Sequence, residues 1–253
     1  MPVRPSWERE HVRRKHEGAS IRVRTAILVA LAATGMADHA RAQWSGEVAV
    51  TSDERWRGRS LSAGRPAATL SLGYDDRSGA YVDGAATVAA LRSGPDIVSI
   101  GIDAGYARRL KNGIVLDLGL TRREFRGAGS GASGSGYTEA YFGMSGRSLA
   151  GRVLYSPDYL QRGIHTLYGT LDGVARPLPG WRLLGHAGLL QVVRQRPWGG
   201  LTRTQFDYSL GVAHQIGKVD ARLAWSGGLP GKDFYADRLR SRQAVTLAAS
   251  IGF

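Results

Sequence analysis

The segment TSDERWRGRSLSAGRPA, residues 51–67, sets Arg55, Arg57, Arg59 and Arg65 among Trp56, Gly58 and Gly64. A guanidinium is a planar fork of N–H donors that stays charged and meets two oxygens at once. A cluster of them is therefore chemistry for anions, phosphate above all. Arg194 and Arg196 form a second such group, and Arg238, Arg240 and Arg242 a third. Another set of charges has the opposite sign. Glu47, Asp83, Asp103, Asp117, Glu139, Asp172, Asp207 and Asp220 each sit inside an apolar run, with Arg152 and Arg222 at the same parity.

Other chemistries lack their residues. The chain has no cysteine, which removes disulfides and thiol catalysis. After residue 42 the histidines are His165, His186 and His214, too widely spaced for a compact metal motif. Gly129, Gly131 and Gly134 fit G-x-G-x-x-G, but the surrounding Gly/Ser repeat opens no helix, so a flexible loop tip is expected instead of a dinucleotide site. No catalytic, cofactor or metal residues are assigned, and no enzyme activity is expected. The remote alternative is lipid hydrolysis by a Ser–His pair on an outer wall, with His165 or His186 supplying the base.

The elements that must position these charges have a period of two. IVLDLGLT places Ile114, Leu116, Leu118 and Leu120 on one face and Asp117, Gly119 and Thr121 on the other. VSIGIDAGY sets Val98, Ile100, Ile102, Ala104 and Tyr106 against Asp103 and small residues, and FDYSLGVA repeats the pattern from Phe206 to Val212. Such alternation marks strands with one apolar and one polar face. Twelve are predicted, over 46–53, 66–75, 79–91, 96–108, 113–122, 136–145, 148–156, 164–174, 181–193, 204–215, 219–226 and 243–253. Most approach the ~9–11 residues that a tilted strand needs to cross hydrocarbon. The gaps between them alternate long and short through most of the chain, as extracellular loops and periplasmic turns do in a membrane barrel.

Residues 1–42 read as a leader. Arg22 and Arg24 precede an apolar core, and Ala40-Arg41-Ala42 is a small-x-small site, so cleavage is expected before Gln43. The uncharged run Thr25–Ala37 is 13 residues, short of the roughly 18 of a spanning helix. The leader holds eight of the 34 Lys/Arg and four of the 21 Asp/Glu, which lowers the formal charge from +13 to +9. Export by the Sec route argues against nucleic acid as the anion. The predicted strands carry 5 basic and 11 acidic residues, and the long loops 15 basic and 5 acidic. Acids would then face a lumen, and loop arginines the lipopolysaccharide phosphates of an outer leaflet.

The fold expected is all-β: residues 43–253 as an antiparallel, up-and-down transmembrane barrel of about twelve strands. A secreted sandwich or lipocalin-like barrel is the alternative. Against it, the polar faces are rich in Gly, Ala, Ser and Asp, too small and charged for a packed core, while Tyr74, Tyr106, Tyr155 and Trp225 lie on the apolar faces near strand ends. The final strand, VTLAASIGF, ends in aromatic Phe253 and resembles the signal by which outer-membrane barrels meet their assembly machinery.

Residues 51–81 also resemble the Gcw_chp family of proteobacterial predicted outer-membrane proteins. Its T-S-D-Y-R-F-R-G-x-S-x-S-x-x-x-P-A pattern reads here as Thr51, Ser52, Asp53, Glu54, Arg55, Trp56, Arg57, Gly58, Arg59, Ser60, Leu61, Ser62, then Pro66 and Ala67. Tyr74, Gly79 and Tyr81 continue it, LYSPDYL from Leu154 to Leu160 is similar to the family's Y-S-x-D-Y element, and YSLGVAHQIG is similar to its penultimate hairpin. Glu54 stands where the family has tyrosine, and residues 86–91 lack its Trp and Asn. The resemblance implies a barrel in the outer membrane and brings no functional residues. The expected role is a narrow, weakly cation-preferring pore or transport-related protein. The alternative is a structural or surface-interaction barrel that binds lipopolysaccharide through its loops, and residues 54–65 are left open between such a loop and a plug.

Overall fold

A strand with one apolar face needs neighbours on both edges, since unpaired N–H and C=O groups are costly away from water. The computed structural model describes residues 43–126, 135–195, 202–229 and 243–253. Its strands are β1 (Gln43–Thr51), β2 (Arg55–Trp56), β3 (Arg59–Ser60), β4 (Ala67–Asp75), β5 (Ala80–Leu91), β6 (Gly94–Arg109) and β7 (Val115–Phe125). There follow β8 (Ser135–Ser145), β9 (Leu149–Ser156), β10 (His165–Ala175), β11 (Trp181–Arg194), β12 (Thr204–Ile216), β13 (Val219–Leu229) and β14 (Gln243–Gly252). Twelve of them close into one antiparallel barrel in the order β1, β14 down to β4, and back to β1. The remaining two, β2 and β3, pair only with each other.

Closure removes every edge. The seam is made by β1, which pairs Val48 with Leu70 of β4 on one side and with Ile251 of β14 on the other. Phe253 extends that seam, its backbone exchanging hydrogen bonds with Gly46 at 2.8 and 2.9 Å. Its ring lies over Gly46 so closely that a Cβ there would be 2.3 Å from a ring carbon.

The side-chain period sorts the barrel into two faces. Val48, Leu70, Ile102, Leu120, Val153 and Leu210 point outward and are about half exposed, whereas the acids between them are buried. Two rims of outward aromatics bound this apolar belt. Trp44 packs on Tyr74 with centroids 5.0 Å apart and Trp181 stacks on His214 at 4.3 Å, both at the short-turn end. Tyr208 meets Trp225 at 5.0 Å, with Tyr155 also outward, toward the other end.

Three local features differ from the sequence reading. The connection expected over 92–95 shrinks to Arg92 and Ser93, so one gap of the long series is a tight turn. A bulge where β5 meets β6 shifts the register between Thr87 and Val88, and Val98 turns inward against Ala67, Ala89 and Leu91 instead of outward with Ile100. An extra residue on one strand reverses the parity beyond it. Finally, β7 runs on to Phe125, past the expected end at 122, and brings Arg123 inside.

The interior is also bulkier than the small polar faces suggested, and unevenly so. The inner face of β5 and β7–β11 carries Tyr81, Phe125, Tyr137, Tyr141, Tyr168 and Leu190. Across the lumen, β13, β14 and β1 offer Ala224, Ser226, Thr246, Ala248, Ser250 and Ala49. One wall is packed and the opposite wall is bare.

Candidate functional site

The arginine-rich segment folds inward. β2 and β3 form a hairpin with only two residue pairs, Arg55 with Ser60 and Trp56 with Arg59. So short a hairpin is marginal alone, and side chains hold it. Asp53 Oδ1 accepts hydrogen bonds from the Ser60 hydroxyl, the Ser62 hydroxyl at 2.9 Å and the Gly64 amide at 3.1 Å. Its Oδ2 accepts from Arg55 Nη1 at 3.0 Å, and Arg55 Nη2 donates to the Gly58 carbonyl at 2.6 Å. One carboxylate thus templates the whole turn, which accounts physically for Asp, Arg, Gly, Ser and Ser at their spacing in the motif.

The hairpin tip is the two-residue turn Arg57-Gly58, with φ of 45° and 74°. Two successive positive φ values belong to a type I′ turn, where Gly or Asn normally leads because a larger side chain is strained. Arginine holds the first position here, and its side chain is gripped at its far end. The guanidinium lies 3.8 Å from the Tyr168 ring centroid, 5.2 Å from Tyr159 and 5.3 Å from Tyr137. Its Nη2 donates to Glu139 Oε2 at 2.6 Å. Trp56 beside it donates its indole N–H to the Tyr137 hydroxyl at 2.8 Å. Tyr159 reaches the cage because residues 157–164 curl inward, the Gly163 amide donating to Asp158 Oδ1 at 2.6 Å and the Tyr159 amide to the Ile164 carbonyl at 2.8 Å. The two motifs quoted from residues 51–62 and 154–160 therefore meet at one guanidinium.

Below the hairpin the inward charges are arranged in pairs. Arg123 Nη2 donates to Asp103 at 2.8 Å, and Arg152 Nη2 to Asp117 at 2.6 Å, with the Arg152 guanidinium 4.1 Å from the Tyr141 ring centroid. Tyr81 donates to the same Asp117 at 2.6 Å and contacts the Tyr141 hydroxyl. His186 lies between Asp172, 2.7 Å from Nδ1, and Asp207, 2.9 Å from Nε2, so a doubly protonated ring has an acceptor for each N–H. Tyr168 also donates to Asp207, at 2.9 Å, and links this group to the Arg57 cage. Near the short-turn end Arg182 pairs with Asp220.

Glu47, Asp83, Asp103, Asp117, Glu139, Asp172, Asp207 and Asp220 are all buried on the inner face, as is Arg152. Arg222 lines a cavity of about 100 Å³ between the hairpin and the bare wall of β12–β14 and β1. Arg55 and Arg57 belong to that interior as well. Both are 8% exposed, which corrects the expectation that they meet lipid phosphates, because the lumen supplies the carboxylates and rings that satisfy them. Arg59 and Arg65 are half-buried, and Arg194 is exposed. Arg196, Arg238, Arg240 and Arg242 lie outside the described residues, as do the glycine repeat at 129–134 and the leader. His165 contacts the outward Tyr155 hydroxyl at 2.7 Å, whereas His186 is inside, so the two do not share an outer wall. Among the described residues, no group of His, Asp and Glu is arranged to hold a metal ion.

Sequence reasoning missed Arg123, Arg182 and the inner tyrosines. The signal was present in YTEAY, where Tyr137 and Tyr141 share the parity of Glu139. Large aromatics at the parity of an acid on a barrel strand mark a packed lumen.

The shape has solved counterparts. The KdgM porin aligns over 83% of this chain and 98% of its own, with 12% identity and a TM-score of 0.47. The NanC porin in its rhombohedral crystal form aligns over 83% and 98%, with 9% identity and a TM-score of 0.46. A structure described under "Unveiling the Mechanism Behind the in-meso Crystallization of Membrane Proteins" covers 83% of each chain at 10% identity, with a TM-score of 0.51. At such identities the likeness concerns the fold alone. No curated protein matches the sequence. The family model of Gcw_chp, described as a bacterial protein of unknown function, matches residues 36–244, and the chain belongs to that family.

Proposed function

We propose that this barrel sits in the outer membrane and passes small solutes, cations in preference, through a lumen that its own hairpin constricts. The observation that carries the proposal is the inserted hairpin. Tied to the packed wall through Arg57 and Glu139 and resting its tip on Gly227 of β13, it leaves a cavity of only about 100 Å³ beside β12–β14 and β1. Barrels of 8 strands are filled by side chains and those of 16–18 hold open channels. Twelve strands plus an inserted hairpin support a narrow, adjustable path. The apolar belt and its two aromatic rims support the membrane setting.

Cation preference rests on the inward charges. Eight strand acids face the interior, and arginines from the hairpin, β7, β9, β11 and β13 offset only part of them. The surface-binding alternative retains Arg59, Arg65 and Arg194 of its described arginines, and no contact among the described residues favours it. Planar-bilayer recording tests the pore directly. Wild-type protein is expected to give small steps with a reversal potential shifted toward that of K⁺ in a salt gradient. An Arg57→Ala variant is expected to give larger steps. Silence from both, or anion preference, would overturn the proposal.

A further inference from the structure

We infer that the Tyr137, Tyr159, Tyr168 and Glu139 cage is a binding site for solutes that carry a guanidinium or amidinium group, and that Arg57 is its built-in occupant. This deepens the pore reading above by naming a class of substrate, and it rests on that reading for its transport meaning.

Four observations carry it. The cage walls come from β8, β10 and the inward loop 157–164, so they do not depend on the hairpin for their backbone. The fit is to a flat cation. The guanidinium carbon is 3.8 Å from the Tyr168 centroid, with Tyr137 and Tyr159 near 5 Å and a buried carboxylate in hydrogen-bond reach. Planar guanidinium groups stack on rings and fork onto carboxylates in a way that a hydrated ammonium does not. The present occupant is also an imperfect one. Only one of its nitrogens reaches Glu139, and Glu139 Oε1, Arg57 Nη1 and Arg57 Nε have no hydrogen-bond partner among the described residues. A free guanidinium can turn to meet both carboxylate oxygens. Finally, Arg57 holds its backbone at φ 45°, so the tether is strained while the head group is well received.

A solute entering from the long-loop mouth would thus compete with Arg57 for one cage. Its arrival would free the hairpin tip, coupling substrate recognition to opening of the constriction.

The test is titration of purified, refolded full-length barrel in detergent by isothermal calorimetry, with agmatine as ligand and butylammonium as the ammonium control. Arg57→Ala is expected to bind agmatine saturably, at least tenfold more tightly than wild type, and more tightly than it binds butylammonium. Adding Glu139→Gln to Arg57→Ala is expected to abolish the binding. Should Arg57→Ala not regain heat-modifiable migration, Arg57→Lys, whose ammonium fits the cage less well, is titrated in its place. A folded variant that ignores agmatine, or that binds it equally without Glu139, would overturn the assignment. Bilayer recording separates the two ideas: a silent barrel that binds agmatine refutes the pore and leaves the site, whereas a conducting barrel that ignores agmatine does the reverse.

Discussion

Gly58 packs against Gly227 so tightly that a Cβ on Gly58 would lie 2.4 Å from the Gly227 carbonyl oxygen. The hairpin therefore spans the lumen: its tip backbone rests on β13 while Arg57 reaches toward β8 and β10. Gly58→Ala should unseat the tip both by this clash and by its φ of 74°. Gly58→Asn separates the causes, since asparagine tolerates positive φ but keeps the Cβ. Both variants should give larger single-channel steps than wild type. If Gly58→Asn conducts like wild type, the packing against Gly227 is not what holds the hairpin.

Asp53 should be the second point of failure. It accepts from two hydroxyls, one amide and one guanidinium, and hydrogen bonds to charged groups contribute roughly 1.5–3 kcal/mol each. Asp53→Ala should release the hairpin without opening the barrel, whose ladder does not include β2 or β3. Limited trypsin digestion in detergent reads this out. Wild type should resist cleavage at Arg55 and Arg57, and Asp53→Ala should be cut there while still migrating as a heat-modifiable barrel. Equal resistance in both proteins would show that the carboxylate does not template the turn.

How much of this was visible beforehand follows from the range of the forces involved. Period-two alternation is local, so the twelve strands and their outward residues, Leu118 and Leu210 among them, could be read from the chain. The fate of Arg57 depends on Glu139, 82 residues away, and on Tyr168 further on. No local pattern distinguishes an arginine bound for that cage from one bound for solvent. Val98 failed for another reason, because a bulge reverses parity and leaves no mark in residue types. The Asp53, Ser60 and Ser62 spacing was legible as a motif, but its meaning as a carboxylate-templated turn emerges only when the three side chains meet.

The buried pair of Arg152 and Asp117 predicts an asymmetry in stability. Arg152→Met should leave Asp117 facing Tyr81 alone, and breaking a buried pair from one side costs about 3–5 kcal/mol. Replacing both, as Arg152→Met with Asp117→Leu, should recover most of that loss, because two desolvated charges are removed together. Urea titrations in lipid vesicles, followed by the loss of heat-modifiable migration, measure each step. A double variant less stable than the single would mean that Asp117 stabilises the wall mainly through Tyr81.

The outward belt gives the prediction on which the membrane setting stands. Leu120 lies within β7, points away from the lumen and is 57% exposed. In hydrocarbon, an arginine there meets no water and no counter-charge, and lipid-facing Arg or Lys near the midplane of a barrel costs about 2–4 kcal/mol. Thr121, the next residue along, faces the polar interior. Leu120→Arg should therefore lower stability in vesicles by about 2–4 kcal/mol. It should lower it much less in short-chain detergent, where the head group can reach water. A soluble barrel predicts almost no loss in either medium, because a solvent-facing Leu→Arg exchange is nearly neutral, and the protein would stay folded without lipid or detergent. Equal stability of Leu120→Arg and wild type in vesicles would remove the bilayer from around this barrel, and with it the need for a pore.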